Sequence, residues 1–319
     1  MIYDSVADYS NPKNHVTGLI ELDKFSALTN GQARIFAKMA PGGNIKKIPA
    51  AYMIKKAKWD GRLAKVHTIV EASSGNMACA LCTFAHQEGK NFIAVIRNDT
   101  ALGKKHELNM LNARLAYEND LSGISPIEYA RALGNQEGYL NFCQYENSDN
   151  AEAYATLLGP QISSQLKEKH LCNGPLVFCA GVGTGGTILG CGRGLMARHA
   201  DCRVIGITLA PGERVPGVRD PQRLLEVKTG WQDVIDGDPI QINRYESYRR
   251  SLELVKMGLD AGPSSGLALA GVIEYLKTRE TRKGVVVVFI CPDSYKSYTD
   301  KYETILDGPE FARKVPFGI

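Results

Sequence analysis

Leu176-Val177-Phe178-Cys179-Ala180, followed without a break by Gly181-Val182-Gly183-Thr184-Gly185-Gly186-Thr187, is the stretch of this chain that decides the fold. Five β-prone or small residues, a glycine turn and then Ile188 to Met196 with helical character predict a strand, a tight turn and a helix start. Such a turn offers free backbone N–H groups and the positive end of a helix to an anion, and glycine lets the anion approach closely. Thr184 and Thr187 add hydroxyl donors. Gly181, Gly183 and Gly186 also spell G-x-G-x-x-G, so a dinucleotide has to be considered. The next apolar run argues against it, because Arg203 to Ala210 ends Gly206-Ile207-Thr208-Leu209-Ala210 with no acid for a ribose. No Gly-Lys-Ser/Thr follows the loop either, which leaves a smaller phosphate ligand.

Outward from this loop, short apolar strands alternate with helical stretches. Strands are predicted at Thr68 to Ala72, Phe92 to Ile96, Arg203 to Leu209 and Gly284 to Ile290, and helices at Asn76 to Gln87, Gly103 to Ala113, Ala151 to His170 and Ser265 to Lys277. This alternation predicts an α/β fold of parallel sheets covered by helices. A length of 319 residues suits two compact lobes better than one core. The chain is expected to cross between the sheets more than once, with the polar stretch Glu146 to Asn150 as one boundary. The formal charge of +4 is spread along the chain with no basic block, which argues against nucleic-acid or membrane-surface partners. No apolar run approaches a membrane span and Met1-Ile2-Tyr3-Asp4-Ser5 does not begin a signal peptide, so a cytoplasmic protein is expected. The eight cysteines fall mostly in apolar segments and read as reduced core residues; Cys79 and Cys82 form one C-x-x-C that nothing nearby completes into a metal site.

Three further segments carry chemistry. Glu71-Ala72-Ser73-Ser74-Gly75-Asn76-Met77 leaves a strand and opens a helix; Ser73, Ser74 and Asn76 fit a helix cap, or, with Gly75, a site for an amino-acid carboxylate. Pro41-Gly42-Gly43-Asn44-Ile45-Lys46-Lys47 places lysines at a helix start, where a cation is disfavoured unless its amine is otherwise engaged. Val285 to Ile290, followed by Cys291-Pro292-Asp293-Ser294, is a buried strand with a polar tip at its carboxyl end, where sites of such sheets lie. Phosphate cradle, amine, carboxylate loop and hydroxyl together describe the needs of pyridoxal 5'-phosphate carrying an amino acid.

In order and wording these segments resemble the cysteine synthase and cystathionine β-synthase branch of the fold-type II pyridoxal-phosphate enzymes, over roughly residues 31 to 300. The resemblance implies a two-domain, tryptophan synthase β-like α/β fold, each domain a mainly parallel twisted sheet flanked by helices. It implies a smaller mobile domain over 38–150 and a larger phosphate-binding domain over 1–37 and 151–319. It also implies that Lys46 is the Schiff-base lysine, that Asn76 bonds the cofactor ring oxygen, that Gly183, Thr184, Gly185, Gly186 and Thr187 hold the phosphate, and that Ser294, ahead of Tyr298, meets the pyridine nitrogen. Ser73, Ser74 and Gly75 are the matching carboxylate loop, and weaker matches occur at Gln144, Gly159-Pro160 and Gly262 to Gly266. The implied chemistry is β-replacement on an activated L-serine through an α-aminoacrylate, by a homodimer acting on small amino-acid substrates.

The chain departs from the family pattern in places. Lys47-Ile48-Pro49 follows Lys46, making Lys47 an alternative amine, and Met77-Ala78 replaces a smaller pair on the substrate side. Glu213 to Asp220 replaces a glycine-rich stretch and puts Arg219 near the cleft mouth, either as a solvated turn residue or as a clamp for an anionic leaving group or nucleophile. Substrate contacts are therefore expected at Ser73, Ser74, Gly75, Met77, Gln144 and Arg219. O-acetylserine or O-phosphoserine is expected as donor and a sulfur or amino-acid nitrogen as nucleophile, as in enzymes that make diaminopropionate precursors. A β-eliminating lyase and a non-catalytic cofactor-binding relative are the alternatives. With no recognisable regulatory extension at either end, a bare catalytic core is expected.

Overall fold

A computed structural model describes residues 17–73, 75–120 and 123–306. Ten strands form two sheets: β1 (Leu19–Glu21), β2 (Ala33–Met39), β7 (Leu176–Gly181), β8 (Cys202–Leu209), β9 (Ile240–Ile242) and β10 (Val285–Cys291) in one, and β3 (Thr68–Ala72), β4 (Asn91–Ile96), β5 (Arg114–Tyr117) and β6 (Tyr139–Asn141) in the other. The larger sheet runs β1-β2-β10-β7-β8-β9, parallel except for β1, and the smaller runs β5-β4-β3-β6, all parallel. The chain leaves the larger sheet after β2 and returns to it after β6, giving two crossings.

β10 shows why the larger sheet is central. Its seven residues are all buried, with Val285, Val287 and Phe289 packing into the core on one face and Val286, Val288 and Ile290 into that on the other. That two-residue alternation, apolar on both faces, is the signature of a strand covered by helices on both sides. The helix Pro263–Thr278 supplies Leu267, Leu269 and Val272 to the first face, and the helix Gly186–Met196 supplies Ile188, Cys191 and Leu195 to the second. In the smaller sheet Ile69, Phe92 and Ala94 meet the helix Asn76–Gln87 on one face, while Val70, Ile93 and Val95 gather Ala130 on the other.

The predicted strand Thr68 to Ala72 and helix Asn76 to Gln87 have the bounds read from the sequence. The predicted helix Gly103 to Ala113 is instead Leu102–Met110, because Asn112 turns left-handed at φ 54° and releases the chain into β5. The predicted helix Ala151 to His170 runs as Ser148–Ala153, a wider turn over Tyr154–Leu158, and Gly159–Glu168. The widening falls just ahead of Pro160, which has no N–H to donate back along the helix. β2 escapes periodicity because Lys38 interrupts it. That lysine is 1% exposed, and its ammonium donates to the Thr17 carbonyl and to Gln161 and Gln165 at 2.6–2.7 Å. All eight cysteines are free thiols, five of them buried and three half-buried. Among the described residues no helix is long and apolar enough to cross a membrane, and no cluster of potential metal ligands occurs.

Candidate active site

The carboxyl ends of β3, β7 and β10 converge on one cleft, whose atom-free space is about 540 Å³ with the open mouth included. Lys46, Asn76, Gly183, Thr184, Gly185, Thr187, Gly217, Val218 and Ser264 are among its lining residues. A second depression of about 280 Å³ lies near the amino ends of β7, β8 and β10, away from these loops.

Lys46 stands at the start of the helix Lys47–Trp59. The residues before it are held from both sides. The Ile45 N–H donates to the Pro292 carbonyl at 2.8 Å, and the Asn44 amide donates to the Asn76 carbonyl at 2.8 Å while accepting the Lys46 N–H at 2.9 Å. Lys46 is half-buried as a residue, but its amine lies deep, and burial lowers its pKa to about 8. Nζ donates to Thr184 Oγ1 at 3.3 Å and lies 6.0 Å from the centre of the Tyr154 ring. Lys47, by contrast, turns its amine back to the Gly42 carbonyl on the exposed side.

The loop Gly183 to Thr187 is glycine-rich largely because of what packs behind it. A Cβ at Gly183 would strike the Gly217 carbonyl, one at Gly185 (φ 76°) would strike Thr229, and one at Gly186 would lie 2.5 Å from Asn150 Oδ1. Asn150 is itself fully buried, donating to the Gln144 carbonyl at 2.9 Å and to Thr184 Oγ1 at 3.0 Å. With its back filled, the loop turns the opposite side, at the start of the helix Gly186–Met196, to the cleft. These features fit pyridoxal phosphate: an anion cradle and a buried amine of lowered pKa share one cleft with Asn76, whose Oδ1 is buried without a partner.

Other expected site residues are placed less simply. Ser73 Oγ accepts the N–H of Gly75 at 3.3 Å and of Ala78 at 3.2 Å, so it anchors the helix start, while Ser74 lies outside the described residues. Gly75 (φ 134°) rests on the Lys104 stem, which a Cβ would meet at 2.9 Å. Gln144 is buried and donates to the Ala72 carbonyl at 2.9 Å. Behind both loops sits Glu71, buried beneath the N–H groups of Cys143 and Gln144 at 3.1 and 3.3 Å, its pKa raised by desolvation to about 8.

Three expected residues are not brought to the cleft. Met77 is 1% exposed and packs in the core, since helical spacing puts it in line with Leu81 and Phe84. Ser294 donates its hydroxyl to Asp260 Oδ1 at 2.7 Å and caps the turn Tyr295–Tyr298. Arg219 pairs with Glu226 at 2.5 Å, donates to the Arg223 carbonyl at 2.9 Å and lies 4.4 Å from the centre of the Tyr145 ring. Conversely, Ser264, within the Gly262 to Gly266 match, is a cleft residue that no local feature of the sequence singles out. It is 4% exposed, lines the cleft and donates to Asp293 Oδ1 at 3.3 Å. Asp293 is buried and also accepts from the Asn76 amide at 2.6 Å and the Tyr298 hydroxyl at 2.5 Å; desolvation, the largest influence, raises its pKa.

The fold and this cleft describe a pyridoxal-phosphate enzyme. The chain belongs to the pyridoxal-phosphate dependent enzyme family, whose model matches residues 11–293. It is 27% identical over 289 residues to the cysteine synthase of Staphylococcus aureus, covering 86% of this chain and 90% of that protein. Its structure superposes on O-ureido-L-serine synthase with a TM-score of 0.81 at 21% identity, over 97% of this chain and 96% of that one. It superposes on the O-acetylserine dependent cystathionine β-synthase of Helicobacter pylori with a TM-score of 0.79 at 25% identity, over 94% and 98%. It is an enzyme of the cysteine synthase-like type with pyridoxal phosphate as cofactor.

Proposed function

We propose that the protein catalyses β-replacement on an activated L-serine, O-acetylserine or O-phosphoserine, with a sulfur or amino-acid nitrogen nucleophile. The observation that carries this reading is the meeting of Lys46, the Gly183 to Thr187 loop, Asn76 and Ser264 in one cleft. When bound, pyridoxal phosphate supplies a covalent handle for the substrate amino group and an electron sink for its Cα. Gly183, Thr184, Gly185, Gly186 and Thr187 hold the phosphate. Lys46 holds the cofactor and, once released, moves the proton at the substrate Cα, a task suited to an amine whose pKa burial has lowered to about 8. Asn76 faces the ring oxygen. In place of Ser294, we assign Ser264 to the pyridine nitrogen, because Ser264 lines the cleft whereas Ser294 is turned to Asp260. A neutral hydroxyl there does not hold a proton on the ring, which favours loss of a β-leaving group. By the family resemblance the loop ahead of the helix Asn76–Gln87 is assigned the substrate carboxylate, with Gln144 steadying it through the Ala72 carbonyl.

The reading also includes, through the family resemblance, the division into a domain over 38–150 and one over 1–37 and 151–319, a homodimer and a cytoplasmic setting. Its test is direct. Holoenzyme mixed with O-acetylserine or O-phosphoserine and a panel of thiols and amino acids is expected to give a β-substituted alanine, detected by mass. Pyruvate as the product whichever nucleophile is present would reassign the enzyme as a lyase.

A further inference from the structure

The polar stretch Glu146 to Asn150 ends in an amide that the fold buries completely. Asn150 lies in the helix Ser148–Ala153, and its Oδ1 is buried with no hydrogen-bond partner. An orphaned amide oxygen in the interior is destabilising, so stability alone does not account for this side chain. Its nitrogen, by contrast, is fully used. Nδ2 donates to the Gln144 carbonyl at 2.9 Å and to Thr184 Oγ1 at 3.0 Å. A carbonyl can only accept, so Gln144 fixes which end of the amide points this way, and Thr184 receives a hydrogen from Asn150 rather than giving one.

The second partner of that hydroxyl imposes the same polarity. Lys46 Nζ donates to Thr184 Oγ1 at 3.3 Å. A hydroxyl has two lone pairs and one hydrogen. With Asn150 and Lys46 on the two lone pairs, the Thr184 hydrogen is left to be placed, and it meets no acceptor among the described residues. Thr184 lines the cleft, and its backbone carbonyl is held by the Thr229 hydroxyl at 3.1 Å. The cleft is thus offered a donor whose polarity is set before any ligand arrives, suited to an oxygen that carries charge and no proton.

We propose that Asn150 is a positioning residue for the cofactor phosphate: by occupying one lone pair of Thr184, it makes that hydroxyl a fixed donor to a phosphate oxygen. This rests on the assignment of Gly183 to Thr187 to the phosphate.

The test reads binding rather than turnover. Pyridoxamine 5'-phosphate, which carries the phosphate but has no aldehyde to engage Lys46, is titrated calorimetrically into the apoenzymes of the parent, Asn150→Ala, Thr184→Val and the double variant. Asn150→Ala is expected to weaken binding at least tenfold in the parent and less than twofold where Thr184 is already replaced. Equal losses in the two backgrounds would show that Asn150 acts through packing alone and overturn the proposal, as would an undiminished affinity in Asn150→Ala. If Thr184→Val binds as tightly as the parent, the phosphate assignment itself falls and the proposal with it. Asn150→Ser, which also lacks the amide, takes the place of the alanine variant in the same cycle should that variant not fold. Phosphorus NMR of the pyridoxal-phosphate-loaded proteins gives a second reading: the phosphate resonance is expected to move in the Asn150 variant, and an unchanged resonance overturns the proposal.

Discussion

Gly186→Ala tests the idea that packing behind the phosphate loop, as much as the ligand in front of it, demands glycine. Gly186 is helical with no left-handed strain, so an alanine there is neutral or slightly favourable on propensity alone. The added Cβ, however, would lie 2.5 Å from Asn150 Oδ1 and 2.6 Å from its Cγ, against about 3.4 Å for an ordinary contact, so the Asn150 side chain must retreat by about 0.9 Å. It has nowhere to go, being fully buried and tied to the Gln144 carbonyl and to Thr184 Oγ1. Overpacking of this kind costs about 1–3 kcal/mol. We expect Gly186→Ala to lose about 2 kcal/mol in denaturant unfolding of the apoenzyme. Pyridoxal phosphate affinity, read by absorbance titration, should fall about tenfold or more, because the retreat shifts the Thr184 hydroxyl that faces Lys46. Asn150→Ala removes the obstacle. In that background the glycine substitution should cost less than about 0.5 kcal/mol, since only the weak helical preference remains. Equal costs in the two backgrounds would refute the packing argument.

Two further outcomes follow from the same structure. Ser264→Ala should change the absorption spectrum of the bound cofactor while Ser294→Ala leaves it as in the parent; the opposite pattern would return the pyridine contact to Ser294. Glu71 gives a pH signature in stability. Because its folded pKa is raised to about 8 by desolvation, its contribution is fully present below its unfolded value near 4.5 and is lost as pH rises through about 8. Glu71→Gln should therefore flatten the fall in unfolding free energy between pH 5 and 8, on the order of a few kcal/mol in the parent, and a fall of the same size in both proteins would show that another group is responsible.

Much of the fold was legible because its central strands are fully buried apolar runs and each glycine loop sits at a strand-to-helix junction. β3 and the helix after it could be bounded from residue pattern alone. β2 could not, since Lys38 makes it look like a loop and only Thr17, Gln161 and Gln165, distant in sequence, allow that ammonium to be buried. The serine assignment illustrates a different limit. Ser264 and Ser294 both follow glycine- or proline-marked turns, and nothing local tells which hydroxyl enters the cleft. Asp260 draws Ser294 away, whereas Asp293 holds Ser264 at the wall.

The sequence by itself determined the parallel α/β architecture and, through the order and wording of its glycine loops, the cofactor family, because periodicity and glycine placement are local properties. Only the tertiary structure decided which side chains share a space: Ser264 in the cleft and Met77 in the core, Asn150 behind Gly186, and Arg219 paired with Glu226. Those outcomes depend on which loops from different strands meet and on which charges are already paired, and neither is written in the spacing of residues along one segment.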